Sequence, residues 1–234
     1  MEFSVVGWPE DGPTLDLDHR RFAYAGKFVM STTGKAVALE GTAGDAPAAE
    51  TTDDPPAAET TDDPPAAGTT DDPPAAGTTG DSPAEGATDA AGVDAGDVVA
   101  AVAFDADRTD DDVLRLRYVT VREGRRGEGV GPRLCAFVAR RGRERGFERA
   151  RIGVNNPYAY EALYKAGFGY TGERTGLAEL VLERPAERDP AAYREGMAIY
   201  AERDLDRTAR AFVDARVDGD PPARLDGDGT DAGG

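Results

Sequence analysis

The 234-residue sequence is poor in cysteine and histidine, with one of each, Cys135 and His19. A single cysteine excludes an internal disulfide, which is typical of a reducing compartment, and we expect a cytoplasmic protein. The sequence has no apolar run of 18 residues, so it predicts no membrane-spanning segment. Its N-terminus has no basic region followed by an apolar stretch, so we expect no secretory signal. We also expect no bound metal.

Positive charge is scarce as well. The chain has 27 Lys and Arg against 45 Asp and Glu, a net charge of −18, and only three of its basic residues are lysines (Lys27, Lys35, Lys165). Nucleic acids and anionic membranes attract proteins through positive fields, so neither is expected as a general partner. Excess acid with little lysine resembles the cytosolic proteins of salt-in halophilic archaea.

Residues 51–77 form a nearly perfect nine-residue repeat, TTDDPPAAE, TTDDPPAAG, TTDDPPAAG. Paired prolines and the absence of a large apolar residue exclude a calcium-binding β-roll, because no ladder core can form. The repeat predicts a disordered, extended acidic linker covering about 41–97.

The segments on either side of this linker both have the patterns of folded elements. Before it, we predict a strand at 1–7, an amphipathic helix at 16–30 with Phe22, Ala25 and Val29 on one face, and a strand at 35–40. After it, 98–106 predicts another strand. We expect the two flanking strands to pair as a hairpin, because lengthening a loop to several dozen residues costs only about 2 kcal/mol. About 40 N-terminal residues would have too little core to fold alone.

The second half alternates strands and helices. In the strand predicted at 113–121, Leu114 and Leu116 share one parity and Val119 and Val121 the other, which indicates a β-bulge. The remaining predictions are a helix at 132–146, a strand at 147–154, a helix at 155–168, two strands around Gly176, and a capped helix at 190–203 with Tyr193, Met197 and Tyr200 on one side.

The stretch VREGRRGEGVGPRL, residues 121–134, joins a strand to a helix. Gly127, Gly129 and Gly131 expose backbone amides, and Pro132 suits a helix start, so the turn predicts a phosphate site. The Gly131-Pro132-Arg133 sequence excludes a P-loop, which needs Lys and Ser or Thr after the last glycine. Proline at 132 also breaks the dinucleotide-binding fingerprint.

Arg126–Gly131 resembles the Arg/Gln-x-x-Gly-x-Gly/Ala motif of the GCN5-related N-acetyltransferases (GNAT family), and NPYAYEALYKAGF resembles a later helix of that family. The resemblance covers about 1–40 and 98–184. It implies an α/β (α+β) GNAT fold: a mixed, mostly antiparallel central sheet with a bulged fourth strand, flanked by helices, plus a C-terminal helix. We therefore expect one domain over 1–184 interrupted by the linker at 41–97, a helical extension at 185–216, and a disordered tail at 217–234.

The resemblance also implies acetyl-coenzyme A as co-substrate. Its diphosphate would bind the loop amides and the N-terminus of the following helix, with Arg125 and Arg126 adding charge and Glu128 pointing to solvent. Its pantetheine arm would pair with the strand backbone. The predicted cofactor-binding residues are Val119, Val121, Arg125, Arg126, Gly127, Gly129, Val130, Gly131 and Asn156, the last also as a helix cap.

Catalysis is less well defined by the sequence. The resemblance implies direct attack of a primary amine on the thioester, with a tyrosine donating a proton to sulfur. Leu163 occupies the family's usual tyrosine position, so Tyr164, one residue later, is either the donor or a core residue, and Tyr160 is a weaker candidate. The sequence identifies no general base.

Two functions follow from these features. One is an acetyl-CoA-dependent N-acetyltransferase acting on a small-molecule or peptide amine, and the alternative is a catalytically silent CoA-binding module. The helix at 190–203 either packs on the domain or forms a homodimer contact.

Overall fold

The computed structural model describes residues 1–40, 96–176 and 178–225. The predicted linker, apart from residues 96 and 97, and the last nine residues of the predicted tail lie outside the described residues.

A seven-stranded sheet in the order β1-β2-β3-β4-β5-β7-β6 forms the centre of the fold. All neighbouring strands are antiparallel except β4 and β5, which are parallel. The strands are β1 (Glu2–Gly7), β2 (Gly34–Leu39), β3 (Val98–Ala106), β4 (Val113–Val121), β5 (Arg149–Val154), β6 (Gly169–Arg174) and β7 (Leu180–Arg184). The α-helices are α1 (Val130–Glu144), α2 (Pro157–Lys165), α3 (Pro190–Ala201) and α4 (Arg207–Asp214). This architecture confirms the predicted fold class.

Apolar side chains cover both faces of the sheet. The larger core lies under the α-helices and combines residues of α1, α2 and α3 with alternate residues of the strands, among them Leu114, Leu116, Ile152 and Val154. A smaller core on the opposite face is built from Leu15, Phe22, Phe28 and neighbouring strand residues. Because β5 alternates, Ala150, Ile152 and Val154 face the helices, and Gly153 faces away from them.

The helix predicted at 16–30 is wrong. The segment is a closed loop with one short 3₁₀ turn, Ala25–Lys27, and its ends are joined by a hydrogen bond from the Leu15 amide to the Phe28 carbonyl. Tyr24 has φ +60°, and a left-handed residue at this point interrupts an α-helix. Phe22 and Ala25 are buried, but Val29 is 49 % exposed, so the apolar spacing reflects a packed loop and not a helical face.

The strands on either side of the predicted linker are neighbours in the sheet. Leu39 pairs with Val98, and the Glu40 amide donates to the Asp97 carbonyl at 2.9 Å. This antiparallel pairing confirms the predicted hairpin.

The bulge predicted in β4 is present. Tyr118 pairs with Ala103 and Leu116 pairs with Phe104, which leaves Arg117 as the extra residue. Because of this extra residue, Val119 and Val121 pack against the same core as Leu114 and Leu116, although their parity differs.

The C-terminal extension packs on the domain. Tyr193, Met197 and Tyr200 are all buried in the main core, so they do not form the dimer contact that the sequence left open. The tail is ordered further than predicted, since residues 217–225 make contacts. Arg194, for example, donates to the Gly219 carbonyl (3.0 Å) and to the Asp220 carboxylate (2.6 Å). The expectation of disorder from residue 217 is therefore not met for 217–225.

Candidate functional site

The glycine-rich turn between β4 and α1 adopts a conformation that requires glycine. Gly127 has φ +86° and Gly129, the residue before the helix, has φ +74°. The helix begins at Val130, two residues earlier than predicted, so Pro132 is its third residue and not its first. Proline is still tolerated at this position, because the amides of the first helical turn have no acceptor inside the helix.

Four backbone amides at the end of this turn have no hydrogen-bond acceptor in the described part of the chain. Among the described residues, the backbone N–H groups of Gly127, Gly129, Val130 and Gly131 donate to no backbone or capping side-chain oxygen. They stand at the positive end of the helix dipole of α1, which is long enough to contribute a substantial field. A row of such donors at a helix start is an anion-binding arrangement.

The charged side chains around the turn form a network of their own. Arg125 donates to both oxygens of Glu128, at 2.8 and 2.9 Å, and also to Glu40, which accepts a further hydrogen bond from Arg122. Hydrogen bonds from Arg122 and then Arg125 lower the pKa of the Glu40 carboxyl. The Glu128 carboxylate is thus held by Arg125, which prevents it from turning over the amides. Much of the positive charge of Arg125 is already matched by protein carboxylates.

A cavity of about 510 Å³ extends from this turn along β4 into the gap between β4 and β5. The two strands are paired only as far as Leu116 and Ile152, and beyond that point β5 no longer covers the edge of β4. The cavity is lined by all nine predicted cofactor-binding residues: Val119, Val121, Arg125, Arg126, Gly127, Gly129, Val130, Gly131 and Asn156. The structure therefore brings the predicted set together around one space.

Two of these residues have clear structural roles in shaping the cavity. A Cβ atom on Gly131 would lie 3.1 Å from Cγ2 of Val121, so glycine allows the start of α1 to approach β4 closely. The side chain of Asn156 accepts a hydrogen bond from the Ala159 amide at 2.8 Å and caps α2, as predicted.

The cavity also has walls that the sequence analysis did not identify. The C-terminal extension contributes Phe212 and Leu225, and α2 contributes Tyr158, whose ring lies 4.4 Å from that of Phe212. Leu225 is fixed by a hydrogen bond from its amide to the Lys165 carbonyl (2.9 Å) and lies beside Gly129. The tail carries no motif, so only its packing places it here.

Thr120 is a further residue that the sequence analysis missed. It is 3 % exposed and lines the cavity, and its Oγ1 has no hydrogen-bond partner among the described residues. A buried hydroxyl without a partner costs free energy, so this one is available to a ligand in the cavity.

Tyr164 does not line the cavity. Its side chain is 1 % exposed, its hydroxyl accepts a hydrogen bond from the Tyr170 amide at 2.9 Å, and the Tyr160 hydroxyl lies 3.4 Å away. Burial raises the pKa of the Tyr164 hydroxyl. Leu163 lines the cavity instead. This placement corresponds to the core alternative for Tyr164 and does not suit a proton donor to a ligand.

No group of three or more His, Cys, Asp or Glu side chains in the described ranges is arranged to hold a metal ion. Within the same ranges, no helix has the length and hydropathy needed to cross a bilayer.

The protein is an α/β protein whose mixed sheet opens between two parallel strands. Open amides at a helix start lie at one end of this gap, and such an arrangement suits an anionic, elongated ligand. Residues 56–170, just under half of the chain, match the Acetyltransferase (GNAT) family. This part of the chain is thus similar to the GNAT acetyltransferases, and residues 96–170 of the match lie in the described part.

Solved structures give weaker similarity. A nourseothricin acetyltransferase is 25 % identical with a TM-score of 0.35, covering 40 % of this chain and 61 % of its own. A GCN5-related N-acetyltransferase from Kribbella flavida is 26 % identical with a TM-score of 0.34, covering 40 % and 64 %. The chain thus spans about six tenths of the length of these two structures. A search of curated proteins found no match.

Proposed function

We propose that the protein is an acetyl-CoA-dependent N-acetyltransferase that transfers an acetyl group to a primary amine by direct attack on the thioester. The observation that carries the proposal is the row of amides at Gly127, Gly129, Val130 and Gly131, which open onto the cavity. A diphosphate at these donors would have its charge met by the dipole of α1.

The shape of the cavity supports an extended arm beyond the diphosphate. Val119 and Val121 lie on the part of β4 whose edge β5 leaves uncovered, so amide groups of a pantetheine arm can pair there as an added strand. The thioester would then reach the point where β4 and β5 separate, near Arg117 and Gly153. A β4 amide would donate to the oxyanion formed by amine attack, and the thiolate would leave with a proton.

Calorimetric titration with acetyl-CoA and with CoA, followed by thiol detection of CoA release with a panel of primary amines, tests the proposal. We expect binding of both ligands and turnover with at least one amine. Failure to bind either ligand at high KCl concentration would refute the proposal.

The alternative is a catalytically silent CoA-binding module. The burial of Tyr164 and the leucine at position 163 favour it, because the cavity has no tyrosine at the family's usual donor position. Tight CoA binding with no turnover on any amine would select this alternative.

We further propose that the protein works in a cytoplasm of high ionic strength. The net charge of −18 with only three lysines supports this, since salt screens the repulsion between carboxylates. Thermal unfolding measured at rising KCl concentrations should show a continuous gain in the melting temperature.

A further inference from the structure

A buried carboxylate stands next to the place where the two parallel strands separate. Glu179 directly precedes β7, and Leu180 pairs with Val154 at the open end of β5. The Glu179 side chain is 4 % exposed. A Cβ atom on Gly153 would lie only 2.8 Å from its Oε2 atom, so the carboxylate occupies the space that a side chain at position 153 would fill.

Gly153 connects this carboxylate to the cavity, because it lines the cavity itself. Since residues of β5 alternate, Ile152 and Val154 face the helices, whereas Gly153 turns toward the opposite face of the sheet, where Glu179 lies. An acceptor that reaches the thioester from this opposite face would meet Glu179 at the gap, on the side away from α1.

The surrounding loop holds the carboxylate in place. The Thr175 hydroxyl donates to Glu179 Oε2 at 3.2 Å, and the Thr175 amide donates to the Glu179 carbonyl at 2.9 Å. Arg203, on the neighbouring extension, donates to the Asn155 carbonyl at 2.6 Å and to the Ala178 carbonyl, and so joins the end of β5 to the residue before Glu179. The Thr175 hydroxyl thus contacts the carboxylate itself, and the other contacts fix the backbone at Ala178 and Glu179.

We propose that Glu179 binds the ammonium group of the acceptor and removes its proton. This inference depends on the proposed function and adds to it the general base and a cationic acceptor. The ammonium gives one proton to the carboxylate, which becomes a carboxylic acid, and the free amine attacks the thioester carbon. The tetrahedral oxyanion then collapses, the C–S bond breaks, and the second nitrogen proton passes to the leaving thiolate. Glu179 returns its proton to water.

The neighbouring acids are bound to arginines. Asp105 lies 3.0 Å from Arg117, and Glu183 on β7 accepts from Arg151 at 2.6 Å. Burial raises the pKa of Asp105 and Arg117 opposes that shift, so Asp105 is the strongest rival for the role of base. Glu183 lies in β7, four residues after Glu179 and on the same face of the sheet, and serves as the matched control.

The test compares Glu179→Gln with Asp105→Asn and Glu183→Gln. With the best amine of the panel, we expect Glu179→Gln to lower kcat by about 100- to 10,000-fold, the usual contribution of a general base, and to remove the acid limb of the kcat/KM profile. Calorimetric affinity for acetyl-CoA should stay unchanged in all three variants, which separates this result from failure of the proposed function. Thermal unfolding checks that each variant is folded.

A second measurement does not need turnover. Titration of n-butylammonium into the CoA complex should show binding that is lost in Glu179→Gln and kept in Glu183→Gln. The proposal would be overturned if n-butylammonium bound equally to both variants or did not bind to the wild type. It would also be overturned if Asp105→Asn, and not Glu179→Gln, removed the acid limb of the kcat/KM profile.

Discussion

Two glycines in the turn before α1 allow a matched test of the proposed anion site. Gly127 and Gly124 both have positive φ, +86° and +81°, and a Cβ atom on either one would meet nothing within 4 Å. Gly127 lines the cavity, whereas Gly124 is not among its lining residues. The two alanine variants therefore carry the same backbone strain and differ in their relation to the ligand.

The expected magnitudes follow from these observations. An L residue in the left-handed region costs about 1–2 kcal/mol, so both variants should lose similar stability. For a domain of this size, that loss lowers the melting temperature by roughly 2–8 °C. At Gly127, the added methyl group enters the ligand's space and should also cost about one charge-assisted hydrogen bond, about 1.5–3 kcal/mol. This corresponds to a rise in the Kd for acetyl-CoA of about 10- to 100-fold.

Isothermal titration below the unfolding temperature of both variants is the appropriate assay. We expect Gly127→Ala to bind acetyl-CoA much more weakly than Gly124→Ala, which should bind as the wild type does. Equal losses of affinity in the two variants would refute the reasoning, because strain in the turn alone would then explain both.

Three other regions give independent predictions. Burial raises the pKa of the Cys135 thiol to about 12, so iodoacetamide at pH 8 should label it only after unfolding in urea, and rapid labelling of the folded protein would contradict its placement. Burial lowers the pKa of Lys35 from 10.5 to about 8, so the unfolded chain binds more protons between these values. The free energy of unfolding of the wild type should therefore rise relative to Lys35→Met from pH 8 to pH 10.5 and stay level below pH 8 in urea titrations. Replacing 41–95 by Asn-Gly should leave the affinity for acetyl-CoA unchanged, because Glu40 and Asp97 already pair at the end of the hairpin; a large loss would show that the segment takes part in binding.

The strands and the glycine-rich turn could be predicted because their signals are local. The bulge in β4 follows from the parity change between Leu116 and Val119, and the turn with its open amides follows from glycine spacing before a helix. Both depend on residues adjacent in the chain.

The features that could not be predicted depend on residues distant in sequence. The loop at 16–30 has the apolar spacing of a helix, but it is closed by the hydrogen bond between the Leu15 amide and the Phe28 carbonyl, and no helix forms. Glu179 lies beside Gly153 only because β7 pairs with β5, and this pairing could not be predicted from the residues around Glu179. Leu225 reaches the cavity because arginines of α3 and the preceding loop hold the tail.

The end of the β2–β3 hairpin and the glycine-rich turn are joined by one carboxylate, because Glu40 forms ion pairs with both Arg122 and Arg125. The long acidic insertion therefore leaves and re-enters the domain at the mouth of the cleft, and not at a remote corner. A fluorophore attached close to Glu40 would stand near the nucleotide end of the coenzyme in the proposed complex and would leave the gap between β4 and β5 unaltered.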